Sequence, residues 1–70
     1  MDRVSVTSSN VHSVGYDLLR RILEVMFHSG ALYWYFGVPL YKAQALVNAT
    51  SVGGYLAEYI KPYYRYERRN

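Results

Sequence analysis

The sequence predicts an α+β fold: a three-stranded antiparallel meander followed by two helices packed on one face of the sheet. Two observations carry this reading. Apolar residues alternate with period two between Val11 and Phe36, then recur at helical spacing after Gly37-Val38-Pro39. The links are short, and the 70 residues contain no cysteine, so one small domain must close by packing alone or by self-association.

Val4 to Asn10 is rich in Ser and Thr and reads as a loose or edge segment. Val11 to Asp17 alternates weakly, with Val14 and Tyr16 on one side, and is taken as the first strand. Leu18 to Arg21 makes a turn or a strand entry. Ile22 to His28 is the clearest strand, Leu23, Val25 and Phe27 alternating with Ile22, Glu24, Met26 and His28. Ser29-Gly30 is a turn signal, and Ala31 to Phe36 an aromatic third strand. Pro39 cannot donate to a sheet ladder but suits the first turn of a helix. Leu40, Ala43, Leu46 and Val47 then mark a helix over Leu40 to Ala49. Thr50-Ser51 offers a cap for a second helix from Val52 to Lys61, which Pro62 ends.

The composition is 51% apolar and 19% charged, as expected of a folded chain. Residues 1–60 sum to neutrality, and the last ten, with Lys61, Arg65, Arg68 and Arg69 against Glu67, carry the whole net charge of +3. A local basic stretch can meet an anion while the body stays neutral. The longest apolar run, Ala31 to Tyr41, is too short to span a bilayer, and the start Met1-Asp2-Arg3 is not a signal peptide, so a cytoplasmic protein without membrane contact is expected.

Few residues suit catalysis. His12 and His28 have no thiol partners, and Glu24 with His28 falls two ligands short of a zinc site. Asp17 and Glu24 make no carboxylate pair, and Ser8, Ser9 and Ser51 lack a nucleophile elbow. Gly53-Gly54 beside Ser51 reads as a capped helix start rather than a phosphate loop, and Tyr55 and Tyr59 as core margin. No enzyme activity, cofactor, metal or small-molecule substrate is expected.

The ordered landmarks Ser8-Ser9-Asn10, Gly15-Tyr16-Asp17, Leu23-x-Val25-x-Phe27, Gly30, Tyr33-x-Tyr35, Val38-Pro39, Ala49-x-Ser51-x-Gly53 and Ile60 resemble the KTSC domain. That domain takes its name from its place at the C-terminus of some lysyl-tRNA synthetases, and it also occurs alone in small bacterial proteins. The likeness covers roughly residues 4 to 64. It implies the fold more than a function, since the family has no established activity and RNA binding has only been suggested for it. The expected organisation is a domain over 1–64 and a basic tail over 65–70.

Two hairpin registers compete. A two-residue Ser29-Gly30 loop pairs Phe27 with Leu32 and Val25 with Trp34; a three-residue loop with Gly30 left-handed pairs Val25 with Tyr33 and Leu23 with Tyr35. The resemblance favours the second, since it turns both the Leu-x-Val-x-Phe and the Tyr-x-Tyr sets toward the helices. Ile22, Met26, Leu32, Trp34 and Phe36 then share the outer face, an apolar patch that suits a homo-oligomer or another protein.

The tail interleaves cations with rings. Lys61, Arg65, Arg68 and Arg69 suit phosphates, while Tyr63, Tyr64 and Tyr66 suit stacking on unpaired bases. The expected function is a small binding module for RNA or other nucleic acid, the alternative a protein-interaction or self-assembly module using the outer sheet face. The same composition describes a solvated terminus whose Tyr63 or Tyr64 packs back on the domain. On the binding reading, truncation after Lys61 should abolish binding and spare the fold.

Overall fold

In the computed structural model, which describes residues 1–70, five strands form one antiparallel sheet in sequence order. They are β1 (Arg3–Ser5), β2 (Val11–Asp17), β3 (Ile22–Phe27), β4 (Leu32–Phe36) and β5 (Tyr66–Arg68). α1 (Leu40–Val47) and α2 (Val52–Tyr55) follow β4, and α2 runs directly into a π-helical segment, Leu56–Ile60. The chain is therefore α+β, with both helices on one sheet face.

The β3–β4 hairpin takes the three-residue loop. Val25 pairs with Tyr33 and Leu23 with Tyr35. Phe27 N–H donates to the Ala31 carbonyl at 2.9 Å, and Gly30 sits at φ +94°, a conformation that a side chain would strain. Leu23, Val25 and Tyr35 thus face the helices and join Val11, Val14, Val38, Leu46, Val52, Leu56 and Ile60 in one core. Each fully buried large side chain contributes about 1.5–3 kcal/mol. Tyr16 supports the same layer by donating its hydroxyl to the Val38 carbonyl.

The weak alternation of β2 has a physical cause. A register shift between Val11 and Ser13 places an extra residue, His12, in the strand. Val11 and Val14 both reach the core, although their odd spacing would set them on opposite faces of a regular strand.

The expected meander is two strands short. β1 has only three residues, too few for an alternation to register in the sequence, yet it pairs Val4 with Val14. β5 lies in the segment expected to be a tail. It pairs with β4 at Tyr33–Arg68, Trp34–Glu67 and Tyr35–Tyr66. Its charged residues conceal a strand whose alternate side chains serve both faces of the sheet. The second helix also departs from expectation. Ser51 caps it, its Oγ accepting from Gly54 N–H at 3.1 Å, but the final turn widens, with Lys61 N–H donating to the Leu56 carbonyl at 2.9 Å. No helix is long and apolar enough to cross a membrane.

Candidate nucleic-acid interface

β4 and β5 extend the helix-side face of the sheet past the end of the π-helical segment, and that uncovered margin is a groove. Strand alternation dictates what lines it. Phe27 leaves β3 on the helix side, Tyr33 and Tyr35 leave β4, and Tyr66 leaves β5. The rings form a chain: Phe27 to Tyr33 at 5.6 Å, Tyr33 to Tyr66 at 5.8 Å and Tyr35 to Tyr66 at 5.7 Å between centroids. Two depressions, of about 400 and 330 Å³, share Tyr33 and Lys61 as common walls.

Lys61 stands at the carboxyl end of the π-helical segment, where the helix dipole favours a cation, and its Nζ lies 5.7 Å from the Phe27 ring centroid. Arg68 shares this face through its pairing with Tyr33. The polar side of the groove is Ser9, Asn10, His28 and Ser29, and no carboxylate lines either depression. Tyr35 is the buried anchor. Burial, with the Tyr33 and Tyr66 hydroxyls beside it, pushes its pKa up to about 12. Tyr66 is 56% exposed, so its ring is open to a ligand.

The seven residues expected to bind nucleic acid do not form one surface. Lys61 and Tyr66 line the groove, and Arg68 shares its face of the sheet by its pairing with Tyr33. Tyr63 and Tyr64 hold Lys42 of α1, whose Nζ lies 4.9 and 5.1 Å from their ring centroids and donates to the Tyr59 carbonyl at 3.3 Å. The Tyr64 hydroxyl alongside raises the Lys42 pKa. Arg65 and Arg69 turn to the outer face, lying 4.2 Å over Phe36 and 4.0 Å over Trp34. Both also pair with Glu67, at 3.4 and 2.9 Å.

The outer face is therefore screened. Ile22 is buried, and Met26, Leu32, Trp34 and Phe36 are half-buried. At the β1 end, Arg3 bonds Glu24 at 3.0 Å and Ser13 at 3.2 Å, so the buried Glu24 carboxylate has a cation. The Trp34 Nε1 donor is buried without an acceptor. Truncation after Lys61 would remove β5, bare the β4 edge and strip Arg65 and Arg69 from the aromatic rings, so the segment is part of the sheet and not a free tail. Asn70 closes the structure, donating to the Gly30 carbonyl at 2.7 Å and accepting from Leu32 N–H at 3.0 Å.

Sequence reasoning turned Phe27, Tyr33 and Tyr35 toward the helices, and Tyr35 does join the core with Phe27 and Tyr33 packed against it; that these rings and His28 also border a groove was not foreseen. The signal that would have placed them is the 33–68 pairing, which period alone does not disclose. His12 and His28 do meet, ring centroids 5.5 Å apart, but no third metal-ligating side chain joins them. Tyr55 and Tyr59 stack on each other at 4.8 Å.

A small α+β domain, with two helices on one face of a five-stranded sheet and an open aromatic margin beside them, is the class that these features define. The chain belongs to the KTSC domain family, whose family model matches residues 7–64. It is 49% identical over 69 residues to an uncharacterized protein of Stutzerimonas stutzeri, covering 97% of each chain. It is 37% identical over 60 residues to a lysine–tRNA ligase of Nostoc, and spans 11% of that enzyme's length. The crystal structure of a KTSC domain protein from Yersinia pestis superposes with a TM-score of 0.94 at 33% identity, covering 99% of this chain and 97% of that one.

Proposed function

We propose that the protein is a non-catalytic binding module that seats a short stretch of single-stranded nucleic acid, RNA foremost, in the groove between Lys61 and β5. The observation that carries this reading is the pairing of Arg68 with Tyr33 and of Tyr66 with Tyr35, which sets a cation and an open ring beside a buried aromatic floor. Unpaired bases stack on such rings at about 1–3 kcal/mol each, and cations at the rim neutralise phosphates. The absence of carboxylates from the lining removes the repulsion that Glu67 imposes on the opposite face. Similarity to part of a lysine–tRNA ligase, an enzyme named for an RNA substrate, is consistent with the same ligand class.

The test is fluorescence anisotropy with a labelled single-stranded RNA at low salt. Tyr66→Ala should weaken binding by about 5- to 150-fold, the loss of one stacked base. Arg65→Ala should leave it near wild type. Equal affinity for wild type and Tyr66→Ala would remove the groove from consideration.

A further inference from the structure

The two edges of the sheet are unlike. β5 is guarded: Arg65, Glu67, Arg68 and Arg69 crowd it with charge, which opposes pairing with another strand. β1 is not. It reads Arg3-Val4-Ser5, all three residues are exposed, and Arg3 is turned inward over its own sheet to Glu24. Beside it lies an almost wholly apolar cavity of about 200 Å³ between β1 and α1, walled by Val4, Val14, Tyr16, Leu40, Ala43 and Val47. Val4 is 54%, Leu40 42% and Val47 37% exposed.

The main-chain pattern tells which groups the edge offers. Val6 N–H donates to the His12 carbonyl at 3.2 Å, and Val4 pairs with Val14 two residues earlier. Hydrogen-bonded pairs alternate along an antiparallel ladder, so Val4 turns its N–H and C=O toward β2. Arg3 and Ser5 turn theirs to the open side.

We infer that a second copy of this chain pairs along β1, antiparallel and about a two-fold axis through Val4, to make one ten-stranded sheet. The register is self-consistent. Arg3 of each copy meets Ser5 of the other and exchanges both main-chain bonds, giving four in all, and the two Val4 residues form the close, non-bonded pair between them. Val4 shares the helix-side face with Val14, so both copies' helices lie on the same side of the joined sheet. Each Val4 then enters the apolar seam flanked by Leu40 and Val47. Charges fit as well: Arg3 faces a serine, its own charge is held by Glu24, and no like charges stand opposite. The seam is short, so association is weak and concentration-dependent.

Sedimentation equilibrium tests this with two variants. Ser5→Pro removes an N–H that the monomer does not use, at an edge position where proline is tolerated. Val4→Lys places two cations against each other at the centre of the seam. The wild-type mass should rise from the 8.2 kDa monomer toward twice that value between about 10 μM and 1 mM, as a short interface permits. Both variants should stay monomeric with unchanged far-UV circular dichroism, and if one fails to fold the other decides. A wild type that remains monomeric throughout overturns the inference and leaves the edge to a strand from another protein. Variants that associate as the wild type does overturn it too, and move the contact to the outer sheet face.

Discussion

Salt dependence separates a groove from a charged tail. The last ten residues hold four cations, but the strand geometry divides them: Lys61 and Arg68 serve the groove, while Arg65 and Arg69 lie over Phe36 and Trp34 and share Glu67. Each phosphate neutralised on a single strand contributes a slope of about −0.7 to log K against log salt. Two contacts give about −1.4, so raising salt eightfold, from about 25 to 200 mM, should weaken binding about 18-fold. Four contacts would give about −2.8 and a loss of roughly 300-fold over the same range. Anisotropy titrations of a labelled single-stranded RNA across that range decide between them. Lys61→Ala and Arg68→Ala should each flatten the slope by about 0.7, and Arg65→Ala and Arg69→Ala should leave it unchanged. A wild-type slope near −2.8, or equal flattening by all four variants, would falsify the division of the tail between two faces.

Three further outcomes follow from the fold. Arg3→Ala leaves the buried Glu24 carboxylate without its cation; because Arg3 is itself one-third exposed, the cost should be about 2 kcal/mol in urea unfolding followed by Trp34 fluorescence, and Glu24→Gln in the same background should recover most of it. The Tyr35 hydroxyl, pushed up to about 12, binds its proton more tightly in the folded chain than in the unfolded one, so its contribution is full below pH about 10 and is lost as pH rises toward 12. Wild type should lose about 1–2 kcal/mol more than Tyr35→Phe between pH 9 and 12, the hydroxyl's place at the groove margin keeping the loss below the full linkage value. Truncation after Tyr64 should red-shift Trp34 emission, because the Arg69 guanidinium no longer covers the indole, and should promote aggregation through the bared β4 edge; a truncated chain that matches wild type in both would show that β5 is dispensable.

The parts of the fold legible in the sequence were those with enough residues to express a period. The β3 alternation, the helical spacing from Leu40 and the cap at Ser51 were each readable locally, whereas the residues alone left two hairpin registers open and the resemblance to the KTSC domain favoured the observed one. β1 and β5 were not readable, because three residues cannot display an alternation and because pairing with β4 is a long-range event. The bulge at His12 blurred β2 for a different reason: one inserted residue reverses the parity of everything before it. The candidate site shared the fate of β5. Its cations and rings were visible as composition, but which of them face the same way depends on a register that only the folded sheet supplies.

That dependence constrains any affinity the domain can have. A strand presents alternate residues to a face, so β5 turns only Tyr66 and Arg68 to the helix side, with Lys61 reaching the groove from the end of the π-helical segment and Phe27, Tyr33 and Tyr35 recruited from neighbouring strands. Two phosphate contacts and one open ring make a weak site by themselves. Strength must then come from repetition rather than from a longer tail. Pairing along β1 would supply it: the β4–β5 margins would stand at the two far ends of a continuous sheet, both on the helix side. At about 4.8 Å per strand they would be separated by roughly 40 Å. A flexible single strand can bridge that distance, and linking two weak sites raises the effective affinity without any new contact. The two halves of this picture stand on different residues, Ser5 and Val4 for the association and Lys61, Tyr66 and Arg68 for the groove, so either can fail while the other holds.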